Sequence, residues 1–213
     1  MEIIQQFIPK KYTRIRPGIY MNPQYITVHE TDNTAIGANA RAHAQLLSRG
    51  NPSRVASWHF TVDDHEIIQH IPTNEVAWHA GDGRNGTGNR KSISIEICVN
   101  RDGNFEKAKE NAAWLIRYLM AQYKIPITRV VPHKHWSGKN CPRNILNHWS
   151  QFIRQIQGGS DTPPPSQEVS FTRVIKLNSP FMRGADVKRV QRRLGVEADG
   201  IYGPKTANAV KAF

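Results

Sequence analysis

The segment Pro132-His133-Lys134-His135-Trp136-Ser137-Gly138-Lys139-Asn140-Cys141-Pro142 holds the densest set of chemically able side chains in the sequence. A His and a Cys eight residues apart, with Gly138 between them and Pro142 behind the thiol, fit a loop that folds back onto one ion. Imidazole nitrogen and thiolate both suit Zn2+. Two ligands do not make a site, so a third must come from elsewhere. His29 is the strongest candidate, because it ends the β-branched run Tyr25-Ile26-Thr27-Val28-His29 and precedes Glu-Thr-Asp-Asn, where a chain leaves a sheet. Three protein ligands leave a fourth position for water, which is the catalytic arrangement. The plainer alternative is ordinary core or loop His residues with a buried free thiol. A Cys98–Cys141 disulfide is a further alternative, disfavoured by synthesis in a reducing compartment.

Glu96 lies in Ser92-Ile93-Ser94-Ile95-Glu96-Ile97-Cys98, the cleanest alternation in the chain. Ile93, Ile95 and Ile97 share one face of such a strand, so Glu96 shares the other with Ser92, Ser94 and Cys98. A carboxylate there could line a pocket as a general base, or the face could simply be solvated. Lys139, two residues before Cys141, could stabilise an oxyanion, although a lone Lys in a Ser-Gly-Lys loop is more often a surface charge. Trp78-His79-Ala80-Gly81-Asp82-Gly83 opens a Gly-rich loop running to Gly88. It lacks phosphate-loop spacing and reads as a pocket wall or a long turn. His43, His65, His70 and His148 have no partner pattern and read as surface or structural.

The elements that must position these residues are a mixture of strands and helices. Besides the two strands above, Trp58–Val62 and Glu66–Ile71 flank Asp63-Asp64-His65 as a hairpin. Helices are expected over Ala38–Ser48, Phe105–Tyr123 (with Ala108, Ala112, Leu115 and Leu119 at helical spacing) and Trp149–Ile156. Strands interleaved with helices give an α/β or α+β body. Gly158-Gly159-Ser160-Asp161-Thr162-Pro163-Pro164-Pro165 has linker composition. The expected organisation is a body over 1–157, a linker over 158–168 and a small module over 169–213.

The chain has 213 residues and a net charge of +12, from 29 Lys and Arg against 17 Asp and Glu. Half of that excess lies from Val169 onward, where nine basic residues face three acidic ones. Such charge implies an anionic partner without saying which. No apolar run approaches the ~20 residues of a membrane span. The N-terminus lacks the basic and long apolar regions of a secretory signal, so synthesis in the cytoplasm is expected.

Taken together, Thr27-Val28-His29, Trp58-His59-Phe60, Ala77-Trp78-His79-Ala80-Gly81, Ser94-Ile95-Glu96-Ile97 and His133-to-Cys141 resemble the zinc-dependent N-acetylmuramoyl-L-alanine amidases. These are the type 2 amidase domains of phage endolysins and bacterial autolysins, related in fold to peptidoglycan recognition proteins. The resemblance covers about residues 1–157, with the five blocks in family order. It implies an α/β fold, with a mixed central sheet flanked by helices. It also implies one zinc ion held by His29, His133 and Cys141, with Glu96 and Lys139 catalytic and with His79 and Trp78 against the substrate. His59 is taken as structural, His135 has no role in the pattern, and Trp58 stands where some relatives have a Tyr. The implied reaction is hydrolysis of the amide between N-acetylmuramic acid and the L-alanine of the stem peptide.

The tail has its own likeness. Gly184–Gly195 reads as an amphipathic helix with Val187, Val190 and Leu194 inward. Asp199-Gly200-Ile201-Tyr202-Gly203-Pro204-Lys205-Thr206 then forms a turn into a helix with Pro204 at its start. This resembles the small helical type 1 peptidoglycan-binding domain, although its last helix stops short of the usual length.

The implied partners are wall peptidoglycan and associated anionic polymers, with no nucleic acid and no membrane insertion; a monomer is expected. Release by lysis or another non-standard route would bring the enzyme to the wall. A non-catalytic peptidoglycan recognition protein is the alternative, weakened because all three ligands and Glu96 are present. A nucleic-acid binder is supported by composition alone.

Overall fold

A computed structural model describes residues 2–158, 175–194, 196–197 and 199–212. The chain divides into two compact units, Met1–Asp161 and Thr162–Phe213. Most of the expected linker lies outside the described residues.

The first unit is built on six strands: β1 (Ile3–Gln5), β2 (Tyr25–Glu30), β3 (Phe60–Val62), β4 (Ile67–Gln69), β5 (Ser92–Ile97) and β6 (Val130–Pro132). Its helices are α1 (Ala40–Ser48), α2 (Thr87–Lys91), α3 (Phe105–Tyr123), α4 (Lys134–Ser137), α5 (Arg143–Leu146) and α6 (Trp149–Ile156). The strands form one sheet in the order β1-β4-β3-β5-β2-β6. Only the β3–β4 hairpin is antiparallel; the other four pairings are parallel. The mixed α/β architecture expected from the sequence is what the chain adopts.

The alternation in β5 sorts the sheet's two faces. Ile93, Ile95 and Ile97 join Ile26, Val28, Phe60 and Val62 in the main core. Against that face lies α3, which buries Ala108, Ala112, Leu115 and Leu119, with small alanines keeping helix and sheet close. Asn104 starts α3 by accepting a hydrogen bond from the Lys107 N–H at 3.0 Å, the usual service of an Asn N-cap. Phe152 and Ile156 of α6 complete this layer. In α1 the same capping device moves the expected start by two residues. Asn39 accepts from the Ala42 N–H at 3.1 Å, so the helix begins at Ala40.

The other face is polar yet covered. Thr27, Ser92 and Ser94 are fully buried, which excludes the solvated reading of this side. Thr27 Oγ1 and Ser92 Oγ share a short hydrogen bond, and the Trp136 indole N–H donates to Thr27 at 2.9 Å. His59, also buried, pairs with Ser94 Oγ at 2.9 Å. A second core of Ile8, Ile15, Leu47, Trp58, Ile71 and Ala77 closes this layer.

In the second unit, α7 (Ala185–Arg193) and α8 (Pro204–Ala212) are the described helices. They are organised around Gln191, which is 2% exposed. Its side-chain N–H groups lie within hydrogen-bonding distance of Asp199 Oδ1 (2.7 Å) and Thr206 Oγ1 (2.9 Å). Its oxygen accepts from the Gly200 N–H at 2.8 Å. The Asp-Gly-x-x-Gly-x-x-Thr pattern is therefore a turn whose polar groups converge on one buried amide. Val187 is buried as expected, whereas on α8 the buried residue is Thr206 and Val210 is exposed.

Candidate metal centre and active site

Three neighbouring parallel strands, in the order β5-β2-β6, deliver the site at their carboxyl ends, the end of an open parallel sheet where ligands bind. His29 on β2 and Glu96 on β5 are register partners. β6 ends at Pro132, and the next residue, His133, ties its backbone N–H to the Val28 carbonyl at 3.1 Å. After α4 the chain turns at Gly138, in a left-handed conformation, and returns so that the Cys141 carbonyl accepts from the Lys134 N–H at 3.0 Å.

The result brings the three expected ligands together. His29, His133 and Cys141 are all buried, and one donor atom from each lies within 4.8 Å of the others. Cys141 Sγ and Glu96 Oε1 each stand 3.9 Å from Nδ1 of His29. His29 Nε2 lies 3.0 Å from Nδ1 of His79. A hydrogen on Nε2, donated to His79, frees the His29 Nδ1 lone pair toward Cys141 and Glu96. Both cysteines are free, so the disulfide alternative is excluded.

Electrostatically the pocket is held in uncharged forms. Burial drives His29 well below the usual imidazole range, and the nearby His79, His133 and Lys139 reinforce it. Burial also lowers His133, with help from Lys139. The Cys141 thiol is pushed up to about 12, chiefly by burial. Glu96 is raised to about 8 by burial, partly countered by the Lys139 ammonium. Lys139 is exposed at the rim, yet it acts on His29, His133 and Glu96 alike.

Both His133 nitrogens, His79 Nε2 and Glu96 Oε2 are buried without a protein partner. Orphaned polar atoms of this kind cost free energy unless something satisfies them. Two neutral imidazoles and a thiol, converging with unspent lone pairs, are a nitrogen–sulfur donor set of the kind zinc takes. The residues present therefore fit the ion.

Beside this centre opens a cleft of about 830 Å³ whose walls include Arg14, Trp78, His79, Arg84, His133 and Lys139. Its lining residues carry cations and no carboxylate. The Gly-rich loop is thus a pocket wall, and it is braced internally. Asp82 accepts from the Gly88 N–H at 2.6 Å, while Asn89 Oδ1 accepts from the His79 and Ala80 N–H groups at 2.8 and 2.9 Å. Gly88 has no room for a side chain: a Cβ there would lie 2.5 Å from the Ala80 Cβ and 2.8 Å from the Trp136 ring.

His135 is exposed and stacks edge-on with Trp136. His43 and His70 are buried, His65 is exposed, and none of these joins the ligand trio. Trp58 is buried, with its indole N–H donating to Thr61 Oγ1 at 2.7 Å. Sequence reasoning missed Arg14 and Arg84 in the cleft walls, for which no local signal exists. It also missed Glu30, an acid directly after His29 at the end of an apolar strand, which was a usable signal.

Among known proteins, residues 19–144 match the Amidase_2 family, described as N-acetylmuramoyl-L-alanine amidase. N-acetylmuramoyl-L-alanine amidase CwlH of Bacillus subtilis (strain 168) is 54% identical over 226 residues, covering 99% of this chain and 89% of CwlH. N-acetylmuramoyl-L-alanine amidase XlyA of the same strain is 43% identical over 275 residues, covering 100% of this chain and 91% of XlyA. The solved catalytic domain of XlyA is 59% identical with a TM-score of 0.70, covering 73% of this chain and 99% of that one. The PlyL structure is 42% identical with a TM-score of 0.67, covering 75% of this chain and 99% of that one. On the strength of a match across more than half its length and relatives that align almost end to end, the chain belongs to the Amidase_2 family of N-acetylmuramoyl-L-alanine amidases.

Proposed function

We propose that this peptidoglycan hydrolase cuts the amide between N-acetylmuramic acid and the stem peptide's L-alanine with one zinc ion held by His29, His133 and Cys141. The observation that carries the proposal is the convergence of those three donors within 4.8 Å, with Glu96 beside them. When bound, zinc polarises the scissile carbonyl and lowers the pKa of water toward ~7. Glu96 takes the proton from the attacking water and returns it to the departing alanine nitrogen. Burial raises this carboxyl and so favours its taking up a proton, while a cation bound beside it would keep it ionised at the start. The Lys139 ammonium, at the rim of the same pocket, stabilises the negative charge developing on the amide oxygen. Trp78 and His79 line the cleft next to His133 and are assigned the substrate contacts. The cations of the cleft suit the carboxylates of a stem peptide.

The second unit is assigned to wall binding, as a type 1 peptidoglycan-binding module joined through the linker over 158–168. Its supports are the converged Asp199, Gly200 and Thr206 turn and the basic sequence from Val169 onward. Digestion of purified wall tests the reaction. New L-alanine amino groups without new reducing sugars, abolished by a chelator and restored by zinc, are expected. Reducing ends, or full activity in chelator, would refute it.

A further inference from the structure

Cys141 and His29 meet across 112 residues of sequence, and the loop that carries Cys141 is short, with little core of its own. The side chain that pins it is the neighbour of His29. Glu30 ends β2, is 5% exposed, and turns its carboxylate toward the residues just beyond Cys141-Pro142. Oε1 accepts from the backbone N–H groups of Asn144 and Ile145, both at 3.0 Å. Oε2 accepts from the Asn144 N–H at 3.1 Å and its side-chain amide at 2.9 Å.

We infer that Glu30 is a positioning residue for the metal centre: the neighbour of His29 grips the chain just behind Cys141, fixing the spacing between the Cys141 and His29 donors. The inference rests on reading His29, His133 and Cys141 as zinc ligands. The chemistry of the position favours it over simple packing. A buried carboxylate is costly, and these partners include no cation to offset its charge. A Leu or Met would fill the same space at lower cost, but neither could accept four hydrogen bonds. All four come from the two residues that follow the ligand loop. Partners of this type around a metal site commonly govern affinity as strongly as geometry does.

Zinc affinity of the full chain, measured by chelator competition, tests this alongside a matched control. Asp63 is also a buried carboxylate, accepting from the backbone of Ala40, His65 and Glu66. Glu30→Ala is expected to weaken zinc binding roughly 10–100-fold and to alter the thiolate-to-metal absorption of the cobalt-substituted protein. Asp63→Ala is expected to lower the melting temperature while leaving zinc affinity within about threefold. Glu30→Gln, which keeps the volume and one acceptor oxygen, should fall between Glu30→Ala and the parent, and it decides the matter if Glu30→Ala does not fold. Parent-like zinc affinity in the folded Glu30 variants, or an equal loss in Asp63→Ala, overturns the inference. A parent that binds no zinc overturns the ligand reading with it, whereas a zinc-binding parent matched by its Glu30 variants overturns this inference alone.

Discussion

His29 and Glu96 face each other as register partners on adjacent parallel strands, with Glu96 Oε1 3.9 Å from His29 Nδ1. Backbone pairing, not a flexible loop, therefore sets the distance between the proposed ligand and the proposed base. A shift of one residue in the β2–β5 register would send one of them to the α3 side of the sheet.

Glu96→Ala should keep zinc and lose activity by roughly 10²–10⁴-fold, the usual range for a general base. Metal content after dialysis and release of alanine amino groups check the two halves separately. Substantial activity in the metal-loaded variant would remove Glu96 from the mechanism.

Metal should also stabilise the fold. With free zinc at a hundred times its dissociation constant, the linkage contributes about 2.7 kcal/mol. For a body of this size that raises the melting temperature by roughly 5–10 °C. Cys141→Ser should abolish most of this rise, because it removes the thiolate. A zinc-independent melting curve for the parent would count against the centre.

Acid should destabilise the body through histidines outside the ligand set. Burial lowers His59 to about 4 and His70 to about 3. Both stay neutral in the fold but take up protons when unfolded, so the unfolded state binds more protons below pH 6.5. Their contribution is complete above that pH and is lost as pH falls through 6.5 toward 4. From pH 7 to 5 the loss is on the order of 3 kcal/mol. Urea midpoints of the metal-free chain should track it, and His70→Gln should remove about half of this share. An unchanged pH dependence in His70→Gln would show that this ring becomes charged inside the fold, because other buried groups such as Glu96 also move the parent's midpoint over this range.

Gly88→Ala should be poorly tolerated, costing about 1–3 kcal/mol as an overpacked site. Its new methyl would press on Ala80 and the Trp136 ring, the ring that donates to Thr27 beneath the site. Thermal melting checks the cost. A parent-like melting temperature would mean the loop relaxes without strain.

Local pattern carried much of this architecture. α3 and α6 begin and end where their apolar spacing places them, because core burial, and for α3 the Asn104 cap, act within a few residues. The convergence of His29, His133 and Cys141 was legible because zinc chemistry accepts few residue types, and the side that Glu96 takes was legible because β5 alternates cleanly. β1 and β6 left little trace: each has three residues, too few for a period to emerge, and β6 ends on a proline. Contacts such as His29 with His79 join segments 50 residues apart. The placing of Arg14 in the cleft wall depends on how the N-terminal segment packs, which no spacing within it encodes.

The proposed ligands are drawn from both ends of the body's sequence, with 112 residues separating His29 from Cys141. No fragment folded from the first half alone contains more than one of them. Capture of the ion would therefore come late in maturation, after β2, β5 and β6 have assembled. Once captured, it would join the beginning and end of the body as a crosslink that a chelator can reverse.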